Sequence, residues 1–158
     1  MNENDGGPYT LGLDIGGTGL KGSVLDKNGH MVVDRVRVPT PKACRPDRMV
    51  EVLTKLVKPL PAFDRISIGF PGVVRNGKVV TAPHFGNDIW RGFPLQRKLG
   101  ERLGKPARLS NDAEILGQNG ARRKTKAHFN RAWQRSNSME QNRKLDKRKH
   151  HQQDRKSE

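Results

Sequence analysis

Residues of the types that bind phosphate follow an acidic residue near the start of the chain. Gly16, Gly17 and Gly19 lie shortly after Asp14, with Thr18 between them. Glycines let backbone N–H groups approach an anion closely, and the Thr18 hydroxyl adds a donor. Asp14 would repel bare phosphate but suits a Mg²⁺ ion that phosphate carries. The pattern is typical of a phosphate site, and equally of a plain glycine-rich hairpin.

Residues 17–22 also fit the dinucleotide-binding spacing G-x-G-x-x-G. That motif requires a helix directly after it, because the pyrophosphate rests on the helix N-terminus. Here residues 23–26 have the pattern of a strand, and Asn28-Gly29 predicts a turn into a further strand. The sequence therefore argues against a dinucleotide site. A P-loop is excluded too, since the string G-x-x-x-x-G-K-[ST] does not occur.

A second group with possible chemistry is Asn111-Asp112, which follows a short predicted strand. In open α/β sheets, ligands bind beyond the carboxyl ends of strands, where these side chains would project. An aspartate there can accept a proton from a substrate hydroxyl, and a neighbouring amide can orient that substrate. The alternative is helix capping, because Asn and Asp are preferred N-cap residues.

The elements that must position these groups are predicted from apolar spacing and turn signals. Alternation and glycine turns predict three strands in hairpin order, within 9–15, 20–26 and 31–38. A helix is predicted around residues 49–57, a strand over Arg65–Phe70, a hairpin at Asn76-Gly77, a helix ending at Gly104 and a last strand over 106–109. This order predicts an α/β fold with one antiparallel edge.

Composition divides the 158-residue chain at about residue 120. The whole chain has 31 Lys and Arg against 16 Asp and Glu, a net charge of +15, but residues 121–158 alone hold 13 of the positive and 4 of the negative charges. That segment contains no Gly, Pro, Val or Ile. It cannot bury enough apolar surface to offset an ordering entropy of about 1–2 kcal/mol per residue, so we predict a disordered, basic, low-complexity tail.

The tail has two interpretations. It is either a solvated appendage without a specific partner, or a basic arm that binds nucleic acid or another polyanion through counterion release. No apolar run approaches the roughly 18 residues of a membrane-spanning helix, and residues 1–8 lack the pattern of a secretory signal. With Cys44 as the single cysteine, an internal disulfide and a multi-cysteine metal site are excluded. We therefore expect a cytoplasmic protein without membrane contact.

Three motifs together resemble those of one family. Residues 11–18, L-G-L-D-I-G-G-T, resemble the first phosphate motif of the ROK family (repressors, open reading frames, sugar kinases) in the actin-like ATPase superfamily. G-F-P-G-V-V at 69–74 resembles the family's G-x-P-G segment, and N-D-A at 111–113 resembles its catalytic motif. Order and spacing agree over residues 9–118, with particular similarity to glucokinases and polyphosphate glucokinases. Only 13 residues precede Asp14, too few for the DNA-binding domain of the repressor branch.

The resemblance implies the fold and the role of each site residue. The fold would be one actin-like (ribonuclease H-like) lobe over residues 9–120, after a flexible N-terminus at 1–8. Asp112 would be the catalytic base that deprotonates a hexose hydroxyl, Asn111 would hydrogen-bond the sugar, and the Gly72 backbone would border it. Asp14 would help to place Mg²⁺. Gly16, Gly17 and Thr18 would hold the phosphates of ATP or polyphosphate.

Further features of such kinases do not occur in residues 119–158: the second phosphate motif L-G-T-G, the E-x-G-H element and the cysteine-rich zinc site. We therefore expect a sugar kinase lobe that is truncated or frameshifted near residue 118, without a zinc site and inactive alone. The alternative is a non-enzymatic protein that binds nucleic acid or polyanions through its tail. The family's homodimers imply a possible dimer here.

Three further residues complete the predictions. Trp90 lies either near the sugar or at the edge of the core. Lys21 is expected to be a solvated strand residue, and His84 receives no role.

Overall fold

The computed structural model of the protein describes residues 7–111. These residues form seven strands and three helices. In chain order they are β1 (Thr10–Ile15), β2 (Gly19–Leu25), β3 (Val36–Pro39), α1 (Pro46–Val57), β4 (Arg65–Phe70), β5 (Val74–Arg75), β6 (Lys78–Val79), α2 (Asn87–Trp90), α3 (Leu95–Leu103) and β7 (Ala107–Asn111). Asp112 and the predicted tail at 121–158 lie outside the described residues, as does most of the N-terminus at 1–8.

Five of the strands form one mixed sheet, in the order β3-β2-β1-β4-β7. β1, β2 and β3 pair antiparallel, whereas β4 runs parallel to β1 and β7 runs parallel to β4. Parallel neighbours cannot be joined by a tight turn, and here helix α1 connects β1–β3 to β4 while α3 precedes β7. The predicted α/β fold with an antiparallel edge is confirmed.

The core lies between the sheet and the helices α1 and α3, which contact each other. Leu11, Leu13 and Ile15 alternate along β1 and are fully buried. Met49 and Leu53 on α1, also fully buried, fall on one face of the helix at the spacing that predicted it. Alternation in the strands and 3.6-residue periodicity in the helix therefore meet in one apolar layer.

The third strand is shorter than predicted, because it begins at Val36 rather than at Met31. The Asn28-Gly29 turn does form, but Met31 makes only an isolated bridge with Leu25. The Ser23 hydroxyl donates a hydrogen bond to the Val33 carbonyl at 3.2 Å. That carbonyl is engaged by a side chain rather than by the strand ladder, so regular pairing starts only after it.

The remaining turn predictions hold. Asn76 and Gly77 have positive φ angles of 50° and 74° and join β5 to β6, the conformation that two-residue hairpin turns require. Gly104 ends α3 in the left-handed conformation, with φ 66°. The short helix α2 was not predicted. No helix among residues 7–111 has the length and apolar character needed to cross a membrane.

Candidate functional site

Three motifs meet at one edge of the sheet. β1, β4 and β7 run in the same direction, and they lead respectively into the turn at 16–19, into Pro71-Gly72 and to Asn111. Asp14 pairs with Gly69 in β4, and Phe70 pairs with Asn111 in β7. Since neighbouring strands are about 4.8 Å apart, the three motifs lie within about 10 Å along the strand-to-strand direction. This edge is where ligands bind in open α/β sheets.

The turn at 16–19 is closed by its own backbone. The Gly16 N–H donates to the Gly19 carbonyl at 3.0 Å, and a Cβ added to Gly16 would lie 2.7 Å from that oxygen. The Thr40 hydroxyl donates to the Gly16 carbonyl at 2.7 Å, and the Thr40 N–H donates to the Thr18 carbonyl at 3.1 Å. Gly16 therefore shapes the turn, and Thr40, directly after β3, holds it in place.

Two donors of the turn remain available. Among residues 7–111, nothing accepts a hydrogen bond from the N–H groups of Gly17 and Thr18, nor from the Thr18 hydroxyl. Thr18 is exposed. Of the three residues predicted to hold phosphate, Gly17 and Thr18 thus offer donors, whereas the N–H of Gly16 is used inside the turn.

Asp14 lies one residue before the end of β1 and is only 25% exposed at its side chain. Its carboxylate is 3.9 Å from the Lys21 ammonium, its cross-strand partner. Burial raises the pKa of Asp14 above its ordinary value of 3.8, and the positive charges of Lys21 and Arg35 oppose that shift in part. Lys21 is therefore an ion-pair partner of Asp14 rather than the solvated residue expected from its strand position.

A Mg²⁺ ion fits this donor set only in part. Within residues 7–111, no three His, Cys, Asp or Glu side chains converge on one point. Mg²⁺ is commonly held by one or two carboxylates while phosphate and water complete its octahedron. A single carboxylate beside a turn with free N–H groups suits an ion that arrives with the phosphate, which is the indirect role predicted for Asp14.

Gly72 is closely approached by the segment that follows β6. A Cβ added there would lie 2.0 Å from the Thr81 carbonyl oxygen. The Val73 N–H donates to the Thr81 hydroxyl at 3.0 Å, and the Thr81 N–H donates back to the Val73 carbonyl at 3.2 Å. The backbone of Gly72 is half-buried at the carboxyl end of β4, where no larger residue fits.

Asn111 is the last residue of β7 and is half-buried. Its neighbour Asp112, the predicted base, lies outside the described residues, so its role stays a prediction. Trp90 is a core residue: it is fully buried, its indole N–H donates to the Cys44 carbonyl at 3.0 Å, and its ring lies 5.3 Å from that of Phe70.

Two basic side chains at the turn were not found from the sequence. The His84 imidazole lies against Gly17, 3.2 Å from the position of an added Cβ, and the Arg37 guanidinium lies at the same distance from an added Cβ on Gly19. The hairpin pattern could have indicated Arg37, because it pairs directly with Lys21. Nothing in the sequence signals the contact of His84, which is far from Gly17 along the chain.

Comparison with known proteins finds relatives over most of the described residues. The sequence model of the ROK family matches residues 10–127, past residue 118 where the resemblance had been expected to end. The chain is 35% identical to an N-acetylmannosamine kinase of Escherichia coli O157:H7 over 107 residues, 66% of this chain and 36% of that one. It is 30% identical over 111 residues to a polyphosphate glucokinase of Mycobacterium tuberculosis (strain ATCC 25618 / H37Rv), 69% of this chain and 42% of that one.

Solved structures are similar over the same part. An inorganic polyphosphate/ATP-glucomannokinase from Arthrobacter sp. strain KM matches with a TM-score of 0.60 and 33% identity, over 68% of this chain and 46% of that one. A ROK family glucokinase from Streptomyces griseus, solved with glucose and AMPPNP, matches with a TM-score of 0.59 and 29% identity, over 68% and 34%. The chain spans 36 to 42% of the length of the two curated relatives. From the matched residues and the actin-like α/β lobe that they share with ROK sugar kinases, the chain belongs to the ROK family.

Proposed function

We propose that this chain supplies the sugar- and phosphate-binding lobe of a ROK sugar kinase, which transfers a phosphoryl group from ATP or polyphosphate to a hexose hydroxyl. The observation that carries the proposal is the common edge of β1, β4 and β7. There the turn after β1 has N–H groups on Gly17 and Thr18 from which no group among residues 7–111 accepts a hydrogen bond, and β4 and β7 lead to Gly72 and Asn111. Phosphoryl transfer depends mainly on such positioning and on charge stabilisation.

The acceptor side of the reaction is assigned to the end of β7 and the loop after β4. Asn111 would hydrogen-bond sugar hydroxyls, and the Gly72 backbone would border the ring. Asp112, the next residue, would accept the proton of the attacking hydroxyl. The hydroxyl oxygen would bond to the terminal phosphorus of ATP or polyphosphate while the bond from that phosphorus to its bridging oxygen breaks, and the shortened donor leaves with that oxygen. The two names among the curated relatives, N-acetylmannosamine kinase and polyphosphate glucokinase, support a hexose or an amino hexose as acceptor.

The donor side is assigned to the glycine-rich turn. The N–H groups of Gly17 and Thr18 would bind the phosphates, and Gly16 would keep the turn tight enough to present them. Asp14 would help to place Mg²⁺. When bound, that ion neutralises part of the charge on the phosphoryl donor.

We propose that these 158 residues bind the sugar and the phosphates. Transfer of the phosphoryl group is expected to need a second lobe. The similarity covers 34 to 46% of the kinases compared above, and phosphoryl transfer depends on positioning and charge stabilisation that we expect a second lobe to complete. Purified chain is therefore expected to form no sugar phosphate from glucose or N-acetylmannosamine with ATP or polyphosphate. Turnover that disappears in Asp112→Ala would overturn this expectation.

Sugar binding tests the proposal directly. In a ¹⁵N-labelled full chain, glucose or N-acetylmannosamine is expected to shift the amide signals of Gly72 and Asn111 at millimolar concentration. Asp112→Asn should weaken that response at least tenfold, because the carboxylate loses its charge-assisted hydrogen bond to the hydroxyl. Arg102→Gln, a change at the other end of the lobe, serves as control. If neither sugar shifts the amide signals of Gly72 and Asn111, the assignment of the sugar site to these residues is contradicted.

A further inference from the structure

The glycine-rich turn is flanked by two basic side chains from different parts of the chain. Arg37 comes from β3 and lies against Gly19, whereas His84 comes from the loop after β6 and lies against Gly17. Both side chains are exposed. Neither is required to fill the core, so their position on the turn calls for another explanation.

Arg37 brings a positive charge to the turn. Its guanidinium Nε and Nη2 would lie 3.2 and 3.4 Å from a Cβ on Gly19. Among residues 7–111, no carboxylate or carbonyl accepts a hydrogen bond from it. Its cross-strand neighbour Lys21 differs, because the Lys21 ammonium faces the Asp14 carboxylate at 3.9 Å.

His84 adds a donor at the other end of the turn. Its Cγ and Nδ1 would lie 3.2 and 3.3 Å from a Cβ on Gly17. Its one contact of note in the described part of the chain is with the Phe85 ring, 6.5 Å away between centroids, and its nitrogens have no hydrogen-bond partner there. An imidazole carries at least one N–H in either protonation state.

Among residues 7–111, the turn therefore has more hydrogen-bond donors around it than acceptors to pair with them. The N–H groups of Gly17 and Thr18, the Arg37 guanidinium and the His84 imidazole all lack an acceptor among residues 7–111. The absence of side chains at positions 17 and 19 is what allows the two basic groups to lie this close. A group of donors around glycine backbone is the chemistry that recognises phosphate, and a guanidinium can bind it in bidentate fashion.

We infer that Arg37 and His84 bind the phosphates of the phosphoryl donor at the two ends of the turn, beside the N–H groups of Gly17 and Thr18. The inference rests on the proposed function, in which this turn holds the donor. Asp14 disfavours a bare anion at the turn and Lys21 is paired with Asp14, whereas Arg37 supplies a positive charge that no carboxylate among residues 7–111 neutralises. The ligand class is a di- or triphosphate group, whether alone, in polyphosphate or in a nucleotide.

The test is a titration of the ¹⁵N-labelled full chain with inorganic triphosphate and Mg²⁺, followed at the amide signals of Gly17 and Thr18. These signals report the turn alone, so binding of the anion to the basic segment 121–158 does not enter the measured Kd. Arg37→Gln is expected to raise that Kd 10- to 100-fold and His84→Gln three- to tenfold. Arg37→Lys should recover part of the affinity, since it keeps the charge but not the bidentate geometry.

Arg102→Gln is the matched control, because it removes the same charge from an exposed position near the end of α3, next to the amino end of β7. Its Kd should stay within twofold of the wild type. Thermal unfolding midpoints of the variants at position 37 should equal that of the control, which a structural role for Arg37 would not allow.

If the Gly17 and Thr18 signals respond to triphosphate but Arg37→Gln and His84→Gln bind as tightly as wild type, the inference is overturned and the donor site stands. If the wild-type signals do not respond at all, the proposed donor site fails and the inference fails with it.

Discussion

Two neighbouring rows of residues across the sheet are one position apart on every strand and have opposite properties. The first row is Val36, Gly22, Leu13, Ile68 and Leu109; the second is Arg37, Lys21, Asp14, Gly69 and Ser110. Leu13 and Ile68 are fully buried and Leu109 is 9% exposed, whereas no member of the second row is buried. Because successive side chains of a strand point to opposite faces, one step along each strand separates the core from the site.

The comparison shows how a small lobe can hold both stability and chemistry in one sheet. The first row faces α1 and α3 and contributes apolar burial. The second row lies beside the glycine-rich turn and contains the ion pair of Asp14 and Lys21 together with Arg37. Substitutions in the first row should therefore change the free energy of unfolding, and those in the second row should mainly change phosphate binding.

The largest effect is expected from Leu13→Ala. Leu13 is fully buried, and its Cδ2 would lie 3.3 Å from a Cβ on Gly22. Truncating such a side chain removes transfer free energy and leaves a cavity, so the free energy of unfolding should fall by about 2–5 kcal/mol. Urea denaturation measures it. A loss below about 1 kcal/mol would mean that the first row is not the core of the lobe.

The next largest effect is expected from Gly16→Ala, in the turn that follows β1, the strand that carries Leu13 of the first row and Asp14 of the second. Its Cβ would lie 2.7 Å from the Gly19 carbonyl, so the turn must open and lose the hydrogen bond that closes it. We expect a loss of about 1–3 kcal/mol in the free energy of unfolding and a large loss of triphosphate affinity. Urea denaturation measures the loss of stability. The amide titration of the full chain with Mg²⁺ and triphosphate measures the loss of affinity. Unchanged affinity would show that the closed turn is not needed for binding.

Asp14→Asn is expected to affect stability and triphosphate binding in different ways. The folded-state pKa of Asp14 is raised by burial, so the folded chain holds this proton at pH values where the unfolded chain has released it. Stability is then lost as pH rises from about 3.8 through the folded-state pKa, and asparagine does not titrate. The stability of the variant relative to wild type should therefore increase with pH across this window, while triphosphate binding with Mg²⁺ weakens. Urea denaturation at a series of pH values decides it, and the opposite trend would mean that the Lys21 charge outweighs burial.

The smallest effect is expected from Ser110→Ala in the second row. Ser110 is half-buried in β7, directly after Leu109. Its free energy of unfolding should stay within about 0.5 kcal/mol of wild type, whereas Leu109→Ala should cost at least about 2 kcal/mol. Equal costs at these adjacent positions would remove the distinction between the rows.

Much of the apolar core, including Leu13 of the first row, could be predicted from the sequence. Leu11, Leu13 and Ile15 alternate along one strand, and Met49 and Leu53 repeat at helical spacing, so local pattern alone assigns them to the core. The second row was identified in part. Asp14 was predicted from its type, as were the glycines of the neighbouring turn, but Lys21 was assigned to solvent because its partner is known only from the register of β1 and β2.

The contacts that were missed are those that join distant segments. The position of His84 on Gly17 depends on the path of the loop after β6, and that of Arg37 on Gly19 depends on where β3 begins. β3 begins at Val36, after the Val33 carbonyl has accepted a hydrogen bond from the Ser23 hydroxyl, a contact that no local pattern signals. Single-sequence patterns report burial along one element well, and they report side-chain contacts between elements poorly.

The most direct test is a crystal structure of the full chain with a hexose, Mg²⁺ and inorganic triphosphate. We expect triphosphate within hydrogen-bond distance of the N–H groups of Gly17 and Thr18, and the sugar against Gly72 and Asn111. Triphosphate or sugar bound elsewhere, with this edge of the sheet empty at saturating concentrations, would contradict the assignment of the site.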